Sequence, residues 1–412
     1  MLRRFLPCLL LVAAVGAAEP RKPNIIFILS DDLAQGDLGC YGQKLIQTPN
    51  LDRMAKEGTR FTQGYCGTSV CAPSRTSLML GQHTGHSPIR ANRELKAEGQ
   101  LPIPADSITV AKALKGSGYA TACVGKWGMG MFDSPGSPLK QGFDHFFGYN
   151  CQSVAHSFFP ATLWRNAEKV PLNPKPVPGR ARQPEGEVRL EDWQGQTYAS
   201  LPIVAEAEKF IAANRSRPFF LYLPFTEPHV AMQPPRAWVE KFPRDWDPVP
   251  YRGESGYLPH PRPRAGYAAM IALLDDHVGR VLSALERTGA AGRTLVVFSS
   301  DNGATHAGPP GTRFHIGGTD PAFFNSTAGL RGFKGSVFEG GIRVPMIARL
   351  PGRIPAGTVN ATPGYFADWF PTLCEAAGLT PPADLDGESL WPALTTGETT
   401  PRRRPMVWVF PE

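Results

Sequence analysis

Short, unbroken apolar runs that end abruptly in polar residues are the feature that most limits how this 412-residue chain can fold. Asn24-Ile-Ile-Phe-Ile-Leu29 has no polar alternation, so it reads as a strand covered on both faces, as inside a mostly parallel sheet. Residues 120–124, 218–223, 295–298 and 344–348 read as further strands. Helical patterns lie between them. Residues 265–287 put Met270, Leu274, Val278, Val281 and Leu285 on one stripe, which Gly289 ends. Residues 203–213 read as another helix, and 51–57 as a short one capped by Asn50 and closed by Gly58. Residues 107–115 form an amphipathic helix with Ile108, Ala111 and Leu114 on one side. This alternation predicts the α/β class, with a large mostly parallel or mixed central sheet flanked by helices. The Pro-rich stretches 171–192 and 233–264 read as surface loops near the mouth of a pocket.

The N-terminus predicts location. Met1-Leu-Arg-Arg4 is positive, Phe5 to Val15 is apolar, and Gly16-Ala17-Ala18 is small, as in a cleaved signal peptide. The apolar run is shorter than the ~20 residues a membrane-spanning helix needs. The expectation is a secreted or periplasmic protein with no integral membrane span: signal peptide 1–18, catalytic domain 19–398, and 399–412 opening a further small subdomain that stays incomplete. Lys+Arg 43 against Asp+Glu 36 is a mild, dispersed positive excess. It implies no nucleic-acid partner and suits a small anionic substrate. Beyond the signal segment, Cys40, Cys66, Cys71, Cys123, Cys151 and Cys374 have no C-x-x-C spacing. Disulfides are open to an exported chain, with no pairing implied.

Polar residues gather where the strands end. The first runs into Ser30-Asp31-Asp32, the second into Gly125-Lys126-Trp127, the third into Thr226-Glu-Pro-His229, and the fourth into Ser299-Ser-Asp301-Asn302-Gly303. Ligands of parallel sheets bind beyond the carboxyl ends of the strands. Adjacent Asp31 and Asp32 repel unless a cation neutralises them. With Asp301 and Asn302 they supply hard oxygen donors, which suit Ca²⁺ or Mg²⁺ better than Zn²⁺.

Cys71-Ala-Pro-Ser-Arg75 is the decisive segment. Alone, its thiol could be a buried apolar group or a nucleophile beside a cation. Together with Pro-Asn-Ile-Ile-Phe-Ile-Leu-Ser-Asp-Asp (23–32), Thr-Pro-Asn-Leu-Asp (48–52), Gly-Lys-Trp (125–127), Ser-Asp-Asn-Gly (300–303), Leu-Arg-Gly-Phe-Lys-Gly (330–335) and Glu-Gly-Gly-Ile-Arg-Val-Pro (339–345), it resembles the formylglycine-dependent sulfatases. These are of the arylsulfatase type and of alkaline-phosphatase-like fold. The resemblance runs from Pro23 to about Gly397.

The resemblance implies a sulfuric ester hydrolase. It implies that a formylglycine-generating maturase oxidises Cys71 to formylglycine, whose hydrate attacks sulfur and then collapses to expel sulfate. Asp31, Asp32, Asp301 and Asn302 would hold Ca²⁺, with residue 71 as a further ligand. Arg75 would steady the hydrate, Lys126 and Lys334 would bind the sulfate, and His229 would protonate the leaving oxygen.

The chain departs from the family in two ways. Gly128 stands where the commoner motif has a histidine, so His156 is a candidate to compensate or to bind sugar, and His306 is a second substrate candidate. His145 and His315 are weaker ones. The segment 404–410 reads as the first strand of the C-terminal subdomain, left unpaired. Trp164, Trp193, Trp238 and Trp246 could stack on a sulfated carbohydrate or pack within the loops. The rival readings are a phosphate or phosphonate monoester hydrolase with the same nucleophile, an inactive sulfoglycan-binding homologue, and a zinc phosphatase, which would need more histidines near the carboxylates.

Overall fold

The structure, a computed structural model, describes residues 22–95 and 98–410, so the segment read as a signal peptide lies outside the described residues. Ten strands form the main sheet. In chain order they are β1 (Asn24–Ser30), β2 (Thr59–Phe61), β3 (Ala120–Lys126), β4 (His145–Tyr149), β5 (Thr162–Arg165), β6 (Glu168–Pro171), β7 (Phe219–Pro224), β8 (Thr294–Ser300), β9 (Met346–Arg349) and β10 (Thr358–Asn360). Their order across the sheet is β10-β2-β9-β8-β1-β7-β3-β4-β5-β6. The centre, β8-β1-β7-β3-β4, is parallel throughout, and antiparallel pairs extend it on both sides.

The six longest helices among the described residues cover the two faces: α1 (Pro49–Lys56), α2 (Cys71–Leu80), α3 (Val110–Gly116), α4 (Ser200–Ala213), α5 (Pro263–Arg287) and α6 (Phe366–Ala376). All seven residues of β1 are buried. Ile26 and Ile28 join the core shared with α1, α4 and α5, whereas Ile25, Phe27 and Leu29 join the core shared with α2, α3 and α6. This double covering is why β1 carries no polar alternation. Phe27 meets Phe366 and Trp369 edge to face, with ring centres 6.3 and 5.5 Å apart.

Several sequence expectations shift. The helix read at 107–115 starts at Val110, because the Thr109 hydroxyl accepts the Lys112 amide at 3.1 Å and caps it. Ile108 therefore lies before the helix and is 55% exposed instead of facing the core. Helix α1 begins at Pro49, so Asn50 is inside it and not its cap. Helix α2 has no amphipathic pattern to betray it, since all ten of its residues are buried, polar ones included. Gly81, at φ 65°, ends it in the left-handed conformation that favours glycine. Among the described residues the segment 404–410 pairs with no strand. Instead the Trp408 indole donates to the Cys66 carbonyl at 2.9 Å and packs on Tyr65 and Tyr365, while the Val409 amide donates to the Thr84 hydroxyl. The six described cysteines are free thiols.

A carboxylate from α5 satisfies the start of α1. Asp275 accepts the backbone amides of Asn50 and Leu51, at 3.1 and 2.8 Å. Asp275→Ala should leave these amides unpaired and cost about 1–3 kcal/mol in urea unfolding, whereas a loss below about 0.5 kcal/mol would contradict this account.

Candidate active site

Parallel strands present their carboxyl ends on one edge, and the four central ones deliver the site. Asp31 and Asp32 follow β1, Lys126 ends β3, His229 stands just beyond β7, and Asp301 and Asn302 follow β8. Cys71 opens α2 and Arg75 lies one turn further on, so both point towards the same crevice. Lys334 comes from a loop between Gly332 and Gly335, both at positive φ. The Gly335 amide donates to the Ser69 carbonyl at 2.9 Å, which ties this loop to the approach to Cys71.

Charge pairing holds the cluster together. The Arg75 guanidinium bridges Asp31 (3.0 Å) and Asp301 (2.8 Å), and also donates to the Lys126 carbonyl at 2.6 Å. The Lys126 ammonium lies 2.5 Å from Asp31. The Lys334 ammonium lies 2.6 and 2.8 Å from the two Asp32 oxygens and 3.7 Å from Cys71 Sγ. Cys71 Sγ is 3.4 Å from Asp31 Oδ1. Asp32 also accepts from Asn302 Nδ2 (2.6 Å) and the Thr305 hydroxyl (2.7 Å), and His229 Nε2 is 3.6 Å away. Asp31, Asp32, Arg75, Lys126, Asp301 and Asn302 are essentially without solvent exposure.

These surroundings set the protonation states. Burial would raise the Asp31 carboxyl, but Lys126, His229, Arg75 and Lys334 hold it well below the usual carboxylate range. Burial and the charge of Asp31 push Asp301 up to about 6 despite Arg75. Burial and Asp31 also push the Cys71 thiol up. Burial and Lys334 lower His229 to about 4.

The donor set fits a hard divalent cation. Asn302 Oδ1 is buried with no hydrogen-bond partner among the described residues, while its Nδ2 donates to Asp32. One ligand atom from each of Asp31, Asp32, Cys71 and His229 lies within 4.8 Å of the others. Asp31, Asp32, Asp301 and Asn302 could hold such an ion through oxygen.

Other candidates fall at different distances from this cluster. His156 stacks flat on His229, with centres 4.7 Å apart and planes 5° apart. His306 is exposed at the rim, edge-on to Phe333 beside Lys334. His145 binds Glu206, and His315 packs on Tyr251. Trp164 packs on Phe132, Trp238 under Lys241, and Trp246 among Phe242, Phe323 and Phe324, while Trp193 lies against the core. Tyr257 also lies beside the cluster, edge-on to both His156 and His229 and carrying the Arg180 guanidinium on its face at 4.7 Å. Tyr257 and Arg180 come from the two Pro-rich loops, whose contact no local pattern announces. Gly128 has φ 74°, and a Cβ there would fall 2.0 Å from Gln152 Nε2. Gln152 therefore fills the space a larger residue 128 would need.

Removing Arg75 strands two buried carboxylates. Arg75→Met should destabilise the fold by about 3–5 kcal/mol in chemical denaturation, and a cost under about 1 kcal/mol would mean that the carboxylates are neutralised without it.

Comparison with known proteins follows this geometry. A sequence model of the sulfatase family matches residues 23–379. The chain is 33% identical over 442 residues to steryl-sulfatase of Mus musculus, covering 92% of this chain and 66% of that protein. It is 34% identical to N-acetylgalactosamine-6-sulfatase of Sus scrofa, covering 96% of this chain and 70% of that protein. The chain thus spans about two thirds of the length of these relatives. Among solved structures, Ps i-CgsB in complex with k-i-k-neocarrahexaose matches with a TM-score of 0.72 and 29% identity, covering 92% of this chain and 77% of that one.

Proposed function

This chain belongs to the sulfatase family, a family of sulfuric ester hydrolases, and from that premise we propose that it removes sulfate from a sulfated carbohydrate or an aryl sulfate. The observation that carries the reading is the convergence of Lys126, Lys334 and His229 on the carboxylates that surround the residue 71 side chain. A sulfate ester is an anion whose leaving oxygen gains charge as the S–O bond breaks, and fixed cations and a proton donor stabilise both.

The Cys71-Ala-Pro-Ser-Arg75 segment, with its resemblance to the family motif, supports conversion of Cys71 to formylglycine. Its hydrate would supply one hydroxyl to attack sulfur and a second whose deprotonation releases sulfate. Ca²⁺ held by Asp31, Asp32, Asp301 and Asn302, with residue 71 beside it, would supply Lewis acidity and favour an ionised hydroxyl. Arg75 fixes two of the carboxylates and steadies the start of α2 through the Lys126 carbonyl. Lys126 and Lys334 attract the sulfate oxygens. The Nδ1–H of His229 donates to the Val230 carbonyl, so a proton at Nε2 requires the imidazolium form. An anionic ester docked beside the ring favours that form. His156, stacked on His229, and His306 at the rim are the protein's nearest imidazoles for contact with the sugar. Residues 1–18 support secretion or delivery to the periplasm, and the implied maturation partner is a formylglycine-generating enzyme.

Two measurements test this. In protein from a host able to mature it, mass spectrometry of the peptide carrying residue 71 should find the aldehyde or its hydrate, and Cys71→Ala should abolish aryl sulfate turnover while preserving the fold. Retained turnover in that variant, or an aryl phosphate hydrolysed faster than the sulfate, would refute the assignment. Lys126→Ala and Lys334→Ala should each lower kcat/KM by about 10²–10³-fold, and a change below tenfold would remove these lysines from the sulfate-binding role.

A further inference from the structure

Where the two Pro-rich loops meet, an exposed arginine stands without an acid. The Arg180 guanidinium lies over the Tyr257 ring, 4.7 Å from its centre. Tyr257 in turn meets the His229 ring edge-on at 6.3 Å and the His156 ring at 5.7 Å. A single aromatic ring thus separates the guanidinium from the imidazole assigned to the leaving oxygen. Among the described residues no carboxylate lies within ion-pair reach of Arg180. Elsewhere in the same loops Arg189, Arg236 and Arg264 are paired with Asp192, Glu191 and Asp320.

Both loops hold this arginine in place. The Gln183 amide donates to the Arg252 carbonyl at 2.9 Å, and the Arg252 guanidinium donates to the Gly186 carbonyl at 2.9 Å. Gly179 lets the first loop lie against His156, since a Cβ there would fall 2.6 Å from the His156 carbonyl oxygen. Gly253, at φ 87°, lets the second loop lie as closely against Ala181. Stacking on Tyr257 uses the face of the guanidinium and leaves its N–H edge open to a ligand. The charge of Arg180 also reaches the cluster. Burial lowers the pKa of His156, and the charges of His229, Lys126, Lys334 and Arg180 lower it further. The His156 ring therefore stands within the field of both lysines and of Arg180.

We propose that Arg180 is a specificity residue that binds a second anionic group of the substrate, a carboxylate or a further sulfate on the same sugar ring or the next. The proposal rests on the sulfatase reading, in which Lys126 and Lys334 hold the sulfate to be cleaved. The guanidinium edge matches either oxyanion with two parallel hydrogen bonds. Because Arg180 has no internal partner, an incoming anion displaces no carboxylate of the protein. The acids nearest the lysines are already neutralised: Arg75 and Lys126 hold Asp31, and Lys334 holds Asp32. The mouth of the site thus offers a cation to a substrate that carries more charge than the one ester, and the protein favours a polyanionic sugar over a singly charged one.

The test is competitive inhibition of 4-nitrophenyl sulfate hydrolysis by the matured full-length protein, with and without Arg180→Met. Arg180 is exposed, so its replacement keeps the fold. Three sugars serve as inhibitors: N-acetylgalactosamine 6-sulfate, its 4,6-disulfate, and the 6-sulfate linked to glucuronate. Wild type should bind at least one of the two more highly charged sugars about five- to tenfold more tightly than the monosulfate, and added salt should narrow that gain. In Arg180→Met the gain should fall below about twofold. A gain for the disulfate alone assigns Arg180 to a sulfate on the same ring, and a gain for the glucuronate sugar alone assigns it to a carboxylate on the next. No gain in wild type, or the same gain in Arg180→Met, would overturn the proposal and leave Arg180 as a solvated cation on Tyr257. Failure of the sulfatase reading is seen separately, as absence of aryl sulfate turnover in the matured wild-type protein.

Discussion

Three carboxylates without access to solvent stand within one crevice, and the rest of the site is arranged around their mutual repulsion. Asp31, Asp32 and Asp301 could not all stay ionised in an apolar interior. Arg75 bridges two of them, Lys126 clamps the first and Lys334 the second. Removing any one of these groups changes the ionisation of the others, so the cluster behaves as a unit. The same balance explains how a strongly charged centre sits in a buried place. The anions could hold a cation, and the cations could attract an anion a few ångströms away.

The sheet supplies the precision. Because β8, β1, β7 and β3 are parallel, their ends are level, and residues more than 200 positions apart in sequence come into hydrogen-bond contact. The second residue after β1, Asp32, takes a left-handed φ of 65°, which turns its carboxylate towards Asn302, Thr305 and Lys334.

Much of this was legible in the sequence, and the physical reasons are specific. Strands covered on both faces leave continuous apolar runs, so β1, β3, β7 and β8 were readable, and so were the polar residues at their ends. The long helix α5 was readable from its stripe. Helix α2 was not, because a helix buried all round has no face to mark it, and its Ser, Thr and Arg residues imitate a loop. The Arg180–Tyr257 contact was equally hidden. Two Pro-rich loops meet there through tertiary packing, and no local pattern encodes which loop meets which. For the loop tryptophans the sequence leaves sugar stacking and loop packing both open, and Trp246 is held among three phenylalanines. Gly128 is explained only by its neighbour, since the Gln152 carboxamide fills the place a side chain would take.

The burial of α2 also imposes an order of events. Cys71 is 2% exposed and the nine residues after it are buried with it, packed against α6 and the sheet. A second protein that is to work on that sulfur atom has no route to it in the finished fold. Such a partner would have to meet the chain while this segment is still extended, and assembly of the core would then close its window.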